Sequence, residues 1–341
     1  MKRIRAAMEL SPASRPSRID LVDILRGIAI AAMVVYHFSW DLSFYGFVPW
    51  DVDSDPGWRW FARLIAGSFL FLVGVSLELA HRKGIRWSPF FTRLAVLVVA
   101  AALVSVATYL TFPDAWIYFG ILHCIAAASL IALPSVRAPL IVPIALSALF
   151  FALPFVVQFD VFDAPWLAWV GLGSLPPPPA NDYEPIFPWV GCTFAGVAVA
   201  RIALAVRPRE AWSRFRARDG ATRMIAWSGR QSLWIYLAHQ PILFGLVGLV
   251  ALGVPSQRAA TDQERATFVA ACVDRCTPLL GNRTSCRSIC VCAADDIEEA
   301  GLWQRTVNQT LRPQDQDRID QIVEACGLQI QGEPPNVSGR Q

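Results

Sequence analysis

The chain has 341 residues, of which 55% are apolar and only 17% charged. A soluble domain carries about 25% charged residues, so this composition points to lipid and argues against a soluble enzyme or a nucleic-acid-binding protein. The formal net charge of +3 names no partner; where the charges fall says more.

Residues 1–20 are basic and rich in Pro and Ser, and read as a short N-terminal segment. The first apolar run starts only after Arg18, is long enough to span a bilayer, and is followed by no cleavage signal, so it is expected to stay as the first helix. A membrane helix needs about 20 mostly apolar residues. Such spans are predicted near 21–47, 60–80, 90–112, 115–134, 139–157, 187–206 and 231–253. The gaps 81–89, 134–139 and 207–230, with the N-terminal segment, hold sixteen Lys and Arg; the alternate gaps hold Arg59 alone. Those alternate gaps carry the acids Asp51, Asp53, Asp55, Asp114, Asp160, Asp163, Asp182 and Glu184. The positive-inside rule therefore places the N-terminus in the cytoplasm and, with seven spans, the segment after Val254 outside. The expected fold is all-α: a polytopic transmembrane bundle of about seven helices over 21–253, N-terminus inside and C-terminus outside, with a small disulfide-rich helical tail over 254–341. The expected location is a membrane, with the tail exported on its outer side.

The gap 158–186 contains Trp166 and Trp169, suited to the headgroup level, and a run of prolines from Pro176 to Pro179 that favours a stiff extended segment. It either lies on the membrane surface or caps a cavity. The tail holds Cys272, Cys276, Cys286, Cys290, Cys292 and Cys326, six of the eight cysteines. An exported tail meets oxidising conditions, where paired cysteines form disulfides. Cys272/Cys276 and Cys286/Cys290 are each four apart, so each pair shares a helical face, and Thr277 to Asn282 reads as the turn between two antiparallel helices. Such a hairpin pairs Cys272 with Cys290 and Cys276 with Cys286, leaving Cys292 for Cys326; this is one of 15 formal connectivities for six cysteines. No histidine lies in the tail, so a metal site is the weaker reading and no metal is expected.

Ionisable groups within spans are costly, about 2.5–3.5 kcal/mol each on insertion scales, so each needs a reason. Asp23 and Arg26 are three apart and can pair as a structural lock. His37 and Asp41 are four apart on the same helix, so the carboxylate can hold one imidazole nitrogen and fix the tautomer, as a general base requires. Glu78 lies near enough to the interface to snorkel, and His81 reads as a solvated loop residue. At 1.5 Å per residue, His37 lies roughly 24 Å from the cytoplasmic side and His123 roughly 12 Å from the outer face, at similar heights. His239, in the last span, lies nearer the midplane. The three could converge on one cavity; each of His123 and His239 could equally serve only as an interhelical hydrogen-bond partner.

The run Asp23-Ile24-Leu25-Arg26-Gly27, with Tyr36-His37-Phe38 and Trp40-Asp41-Leu42, resembles the first helix of bacterial relatives of the heparan-α-glucosaminide N-acetyltransferase catalytic domain. Further segments match in order: Phe69 to Ser76, Tyr118 to His123, Asp182-Tyr183 with Pro188 to Gly191, and Ser232 to Pro241. The resemblance covers about residues 18–253 and omits the tail. It implies a membrane-embedded acetyltransferase that takes acetyl from cytoplasmic acetyl-CoA and delivers it to an amine or hydroxyl, typically of a sugar, on the far side. Under it, His37 becomes base or transient acyl carrier with Asp41 orienting it. Trp40, His123, Tyr183, Trp189, His239 and Gln240 become cavity candidates. The Arg-rich inner loop, with Arg223 and Arg230, could attract CoA phosphates, or could simply set topology. The rival reading is a non-catalytic membrane anchor acting through a protein partner of its stapled outer tail. Intact mass before and after reduction tests the stapling: six free thiols in the exported tail would refute it.

Overall fold

The structure, a computed structural model, describes residues 19–50, 52, 53, 55–253, 257–307 and 311–331; most of the expected basic segment 1–20 lies outside these. Helices α1 (Asp20–Phe44), α2 (Pro56–His81), α3 (Trp87–Thr111), α4 (Ile121–Ala132), α5 (Ile141–Val156) and α6 (Ile186–Val206) follow in order. A short α7 (Arg209–Ser213), α8 (Gly220–Arg230) and α9 (Ser232–Gly253) come next, then α10 (Gln257–Leu280), α11 (Arg283–Glu299), α12 (Trp303–Val307) and α13 (Pro313–Gln331). Among the described residues there is no strand, only one isolated bridge between Phe119 and Tyr183.

Five of the seven expected spans, α1, α2, α3, α6 and α9, are long and apolar enough to cross a membrane. The other two are shorter than expected: α4 with its 3₁₀ continuation runs Ile121–Val136, and α5 runs Ile141–Val156. Sixteen residues rise about 24 Å, short of a hydrocarbon core of about 30 Å. Residues 116–120 are withheld from α4 because they are extended. Asn181 donates its amide to the Ala115 carbonyl at 2.9 Å, and Glu184 donates to that of Phe119 at 3.1 Å. The expected gap 158–186 forms 3₁₀ turns over Asp160–Asp163 and Pro165–Val170 before this pairing.

The chain forms two compact units, 1–41 with 50–246, and 42–49 with 247–341. In the first, helix crossings are set by glycine. A Cβ at Gly74 would land on the Thr193 carbonyl oxygen, and one at Gly196 on that of Phe71, so α2 and α6 touch backbone to backbone. The same reciprocity joins α1 to α8 through Gly27 against Ile225 and Gly229 against Asp23. In lipid, where apolar burial drives little association, such close approach supplies the packing.

At the α2–α6 interface Glu78 is fully buried, not snorkelling as expected. Arg201 of α6 donates to it at 2.9 and 3.3 Å, and also to the carbonyls of Ser135, Val136 and Ala138. One guanidinium therefore neutralises a buried carboxylate and donates to carbonyls of the α4–α5 turn, which lipid cannot do.

In the second unit α10 and α11 form the expected hairpin. Gly281, at φ 66°, makes the left-handed turn, and the Asn282 side chain caps α11 by accepting from Thr284 and Ser285. The disulfides are Cys272–Cys290, Cys276–Cys286 and Cys292–Cys326, the last tying α11 to α13. Ile289, Ala293, Ile297, Trp303 and Ile322 form the small core between them.

Breaking a buried ion pair costs about 3–5 kcal/mol. Arg201→Leu, which also removes the donor to the Val136 and Ala138 carbonyls, is expected to reach that loss, and Glu78→Gln to cost clearly less because Gln still accepts from Arg201. Thermal unfolding of the two variants in detergent measures the order; an equal or inverted order would contradict this role for Arg201.

Candidate functional site

The first site residues lie where α1 meets α9. On α1, Tyr36 and His37 sit one turn before Asp41; on α9, Tyr236, His239 and Gln240 face them. The His37 and His239 rings are 5.0 Å apart between centroids. Tyr36 stands edge-on to His37 at 5.5 Å, and Tyr236 is 5.8 Å from His239. His239 Nδ1 lies 2.7 Å from the Tyr236 carbonyl oxygen and 3.2 Å from that of Ile235. Carbonyls only accept, so Nδ1 carries the proton, and in the neutral ring Nε2 is a bare lone pair. That Nε2 is buried and has no hydrogen-bond partner.

Asp41 is fully buried, but its oxygen accepts from Gln240 Nε2 at 2.8 Å rather than from His37. The expected His37–Asp41 couple is thus replaced by a cross-link between α1 and α9. The amide brings an N–H donor from the opposite helix, where the imidazole would have to bond within its own. The second Asp41 oxygen and Gln240 Oε1 are buried without partners, so polar capacity remains beside the two rings.

The segment between α5 and α6 folds toward this pair. Asp182 accepts from the Ile121 amide at 2.9 Å, capping α4. Tyr183 donates to the Ala168 carbonyl at 2.6 Å and lies tilted against Tyr118 at 5.7 Å, so it anchors the loop. Glu184 presents a buried oxygen without a hydrogen-bond partner. Burial pushes the Asp182 carboxyl up to about 6, with the Ile121 amide pulling against it. Burial and then the neighbouring Asp182 raise Glu184 well above the carboxylate range, while Arg63 opposes them. Both carboxyls lie within electrostatic reach of Tyr36 and Tyr236, which adjoin the two histidines.

Other expected residues fall elsewhere. His123 is the third residue of α4, not about eight residues deep, because 116–120 is not helical; its Nδ1 accepts from the Gly120 amide at 3.2 Å and its Nε2 meets Ser105 at 3.3 Å. It caps its own helix. Trp40 donates its indole N–H to Asp53. Trp189 packs against the main core. Asp23 and Arg26 pair at 3.5 Å, and Arg26 also donates to Ser76 at 3.0 Å. Arg230 lies 3.9 Å from Asp23, so it extends that lock; Arg223 is exposed. His81 is buried, not solvated.

Residues 18–241 match the family described as heparan-alpha-glucosaminide N-acetyltransferase, catalytic. The chain belongs to this family. No curated protein and no solved structure matches it. The acetyltransferase family match ends before the stapled helices, which lie wholly outside it. Together with the apolar helices it identifies an integral membrane protein of a transmembrane acetyltransferase family.

Sequence reasoning missed Glu184 and Arg201. Glu184 directly follows the Asp182-Tyr183 motif, and Arg201 is the one charge within the 187–206 run; either position was a visible signal. A titration gives a check on the loop. The Asp182 carboxyl is raised from its ordinary 3.8 to about 6, so the folded state binds its proton more tightly than the unfolded chain. Stability from this group is complete below the ordinary value and is lost as pH rises through about 6. Melting temperatures across that window are expected to fall, and Asp182→Asn is expected to flatten that slope; an unchanged slope would contradict the assignment.

Proposed function

We propose that this protein transfers an acetyl group from cytoplasmic acetyl-CoA to an amine or hydroxyl, of a sugar, presented from the outer side of a bacterial inner membrane. The Lys/Arg asymmetry supports a cytoplasmic N-terminus and an outward tail. The observation that carries the reading is the His37–His239 pair with an unprotonated, unpartnered, buried His239 Nε2.

Such a nitrogen can take the proton of an acceptor N–H or O–H as its lone pair attacks the thioester carbonyl. The new C–N or C–O bond forms, the C–S bond breaks, and the thiolate leaves to be protonated. His37, one ring away, can pass that proton on or act as a transient acyl carrier. Asp41 and Gln240 fix the spacing of α1 and α9, and therefore of the two rings. Glu184, with its open oxygen, and the capping carboxyl of Asp182 lie on the side from which the acceptor would enter.

General acid–base groups contribute about 10²–10⁴-fold to rate. His239→Ala and His37→Ala are each expected to lower acetyl transfer by that order in purified protein, with unfolding temperature little changed. Unchanged turnover in either variant removes that histidine from the chemistry. Asp41→Asn, which still accepts from Gln240, is expected to retain far more activity than Asp41→Ala.

A further inference from the structure

At the far end of α2 from the histidine pair, a cavity of about 170 Å³ lies between α2, the first three turns of α3, and α4. Its polar lining consists of Ser76, His81, Arg86, Arg93 and Ser129, and includes no carboxylate. Arg26 reaches it from α1 through its bond to Ser76. Neither the Arg86 nor the Arg93 side chain makes an ion pair or hydrogen bond among the described residues. Arg93 is the seventh residue of a membrane helix, where an uncompensated cation is costly.

His81 adds a donor. Its Nδ1 accepts from the Arg86 amide at 3.1 Å, so the neutral ring carries its proton on Nε2. Arg86 is also the N-cap of α3 and provides no side-chain cap, which leaves the positive end of a 25-residue helix open beside the cavity. Two guanidiniums, an N–H donor and a helix N-terminus without a facing acid are complementary to a compact, multiply charged oxyanion. Small-molecule pockets are usually about 300–1,000 Å³, so this one suits a charged group and not a whole ligand. Arg86 and Arg93 are exposed at its mouth, where the rest of a ligand would continue.

We propose that this cavity binds a phosphate group through Arg86, Arg93 and His81, carried either by the nucleotide end of the thioester donor or by an anionic phospholipid. The nucleotide source rests on the acetyl-transfer reading; the phosphate chemistry does not.

The test uses the full chain purified in a neutral detergent, with inorganic pyrophosphate as probe. Pyrophosphate is expected to raise the melting temperature of the wild type and of Arg86→Lys/Arg93→Lys, but not of Arg86→Gln/Arg93→Gln. His37→Ala is expected to keep the shift. No shift in the wild type, or an equal shift in the Gln variant, overturns the proposal. Two further arms separate the sources. A KM for acetyl-CoA raised tenfold or more in the Gln variant, with kcat and the KM for S-acetylpantetheine unchanged, assigns the nucleotide. Loss of co-purifying phosphatidylglycerol from the Gln variant, with KM unchanged, assigns the lipid. A wild type that transfers no acetyl group yet shows the pyrophosphate shift retires the proposed function and retains the phosphate site.

Discussion

The bundle depends on how closely two pairs of helix backbones can approach. Where α2 crosses α6, Gly74 and Gly196 each face a carbonyl oxygen of the other helix, and any side chain there would collide with backbone that cannot yield. Contact at this distance brings the neighbouring polar groups into reach: Thr193 donates to the Leu70 carbonyl at 3.1 Å, and two turns on, Arg201 meets Glu78. The ion pair is thus a consequence of the glycine crossing as much as a cause of it. A wider spacing would leave a carboxylate and a guanidinium in lipid, each too far from the other to offset its burial. The second crossing, Gly27 against Gly229, does the same for α1 and α8, and it brings Arg230 to the Asp23–Arg26 pair. The register of α1 fixed there determines which residues it presents farther along, where His37 and Asp41 meet α9.

A membrane interior makes hydrogen-bond accounting strict, because no solvent stands ready to satisfy what the protein leaves open. Within the family-matched unit that accounting is met by devices that reach across long stretches of chain: Arg201 to the α4–α5 turn, Arg209 to the Leu79 carbonyl, Asp182 to the start of α4. Arg209 Nε is one exception, and three others lie together. His239 Nε2, Gln240 Oε1 and an Asp41 oxygen are open together, and a Glu184 oxygen is open in the segment before α6. Buried polar groups without partners are rare in folded proteins and call for a reason. A cluster of them around two adjacent imidazoles is the arrangement a polar substrate would complete.

The sequence made some of this legible for reasons that are local. Apolar length marks α1, α2, α3, α6 and α9, since crossing a bilayer is a requirement on contiguous residues. The disulfide pattern is readable because cysteines four apart share a helix face, and Gly281 and Asn282 supply the turn and cap that fold one face onto the other. What is not legible depends on partners distant in the chain. Nothing near His37 indicates that its neighbour is His239, about two hundred residues on, or that Asp41 answers to Gln240 instead of to the imidazole one turn away. The start of α4 is misread for the same reason: residues 116–120 are apolar enough for helix, and only pairing with 181–184 holds them extended. Arg201 escapes notice because a single charge in an apolar run says nothing of the four acceptors waiting for it.

Two histidines at opposite ends of the unit illustrate how the backbone assigns chemistry to one side-chain type. His239 places Nδ1 against carbonyl oxygens, so that nitrogen must hold the proton and Nε2 is left as an acceptor. His81 places Nδ1 against an amide N–H, so that nitrogen must be bare and Nε2 is left as a donor. The tautomers are assigned by their partners, and they are opposite. A ring offering a lone pair suits the removal of a proton from an acceptor; a ring offering N–H suits holding an oxyanion. The residues around each agree with its tautomer: carboxyl and amide oxygens near His239, guanidiniums and a helix N-terminus near His81. From the sequence, His239 falls within a span and His81 reads as a solvated loop residue, and neither reading gives the tautomer. The difference lies in whether the nearest backbone group is a carbonyl or an amide, and that is fixed by where each histidine falls on its helix: His239 within α9, over carbonyls of its own preceding turn, and His81 at the end of α2, facing the amide that opens α3.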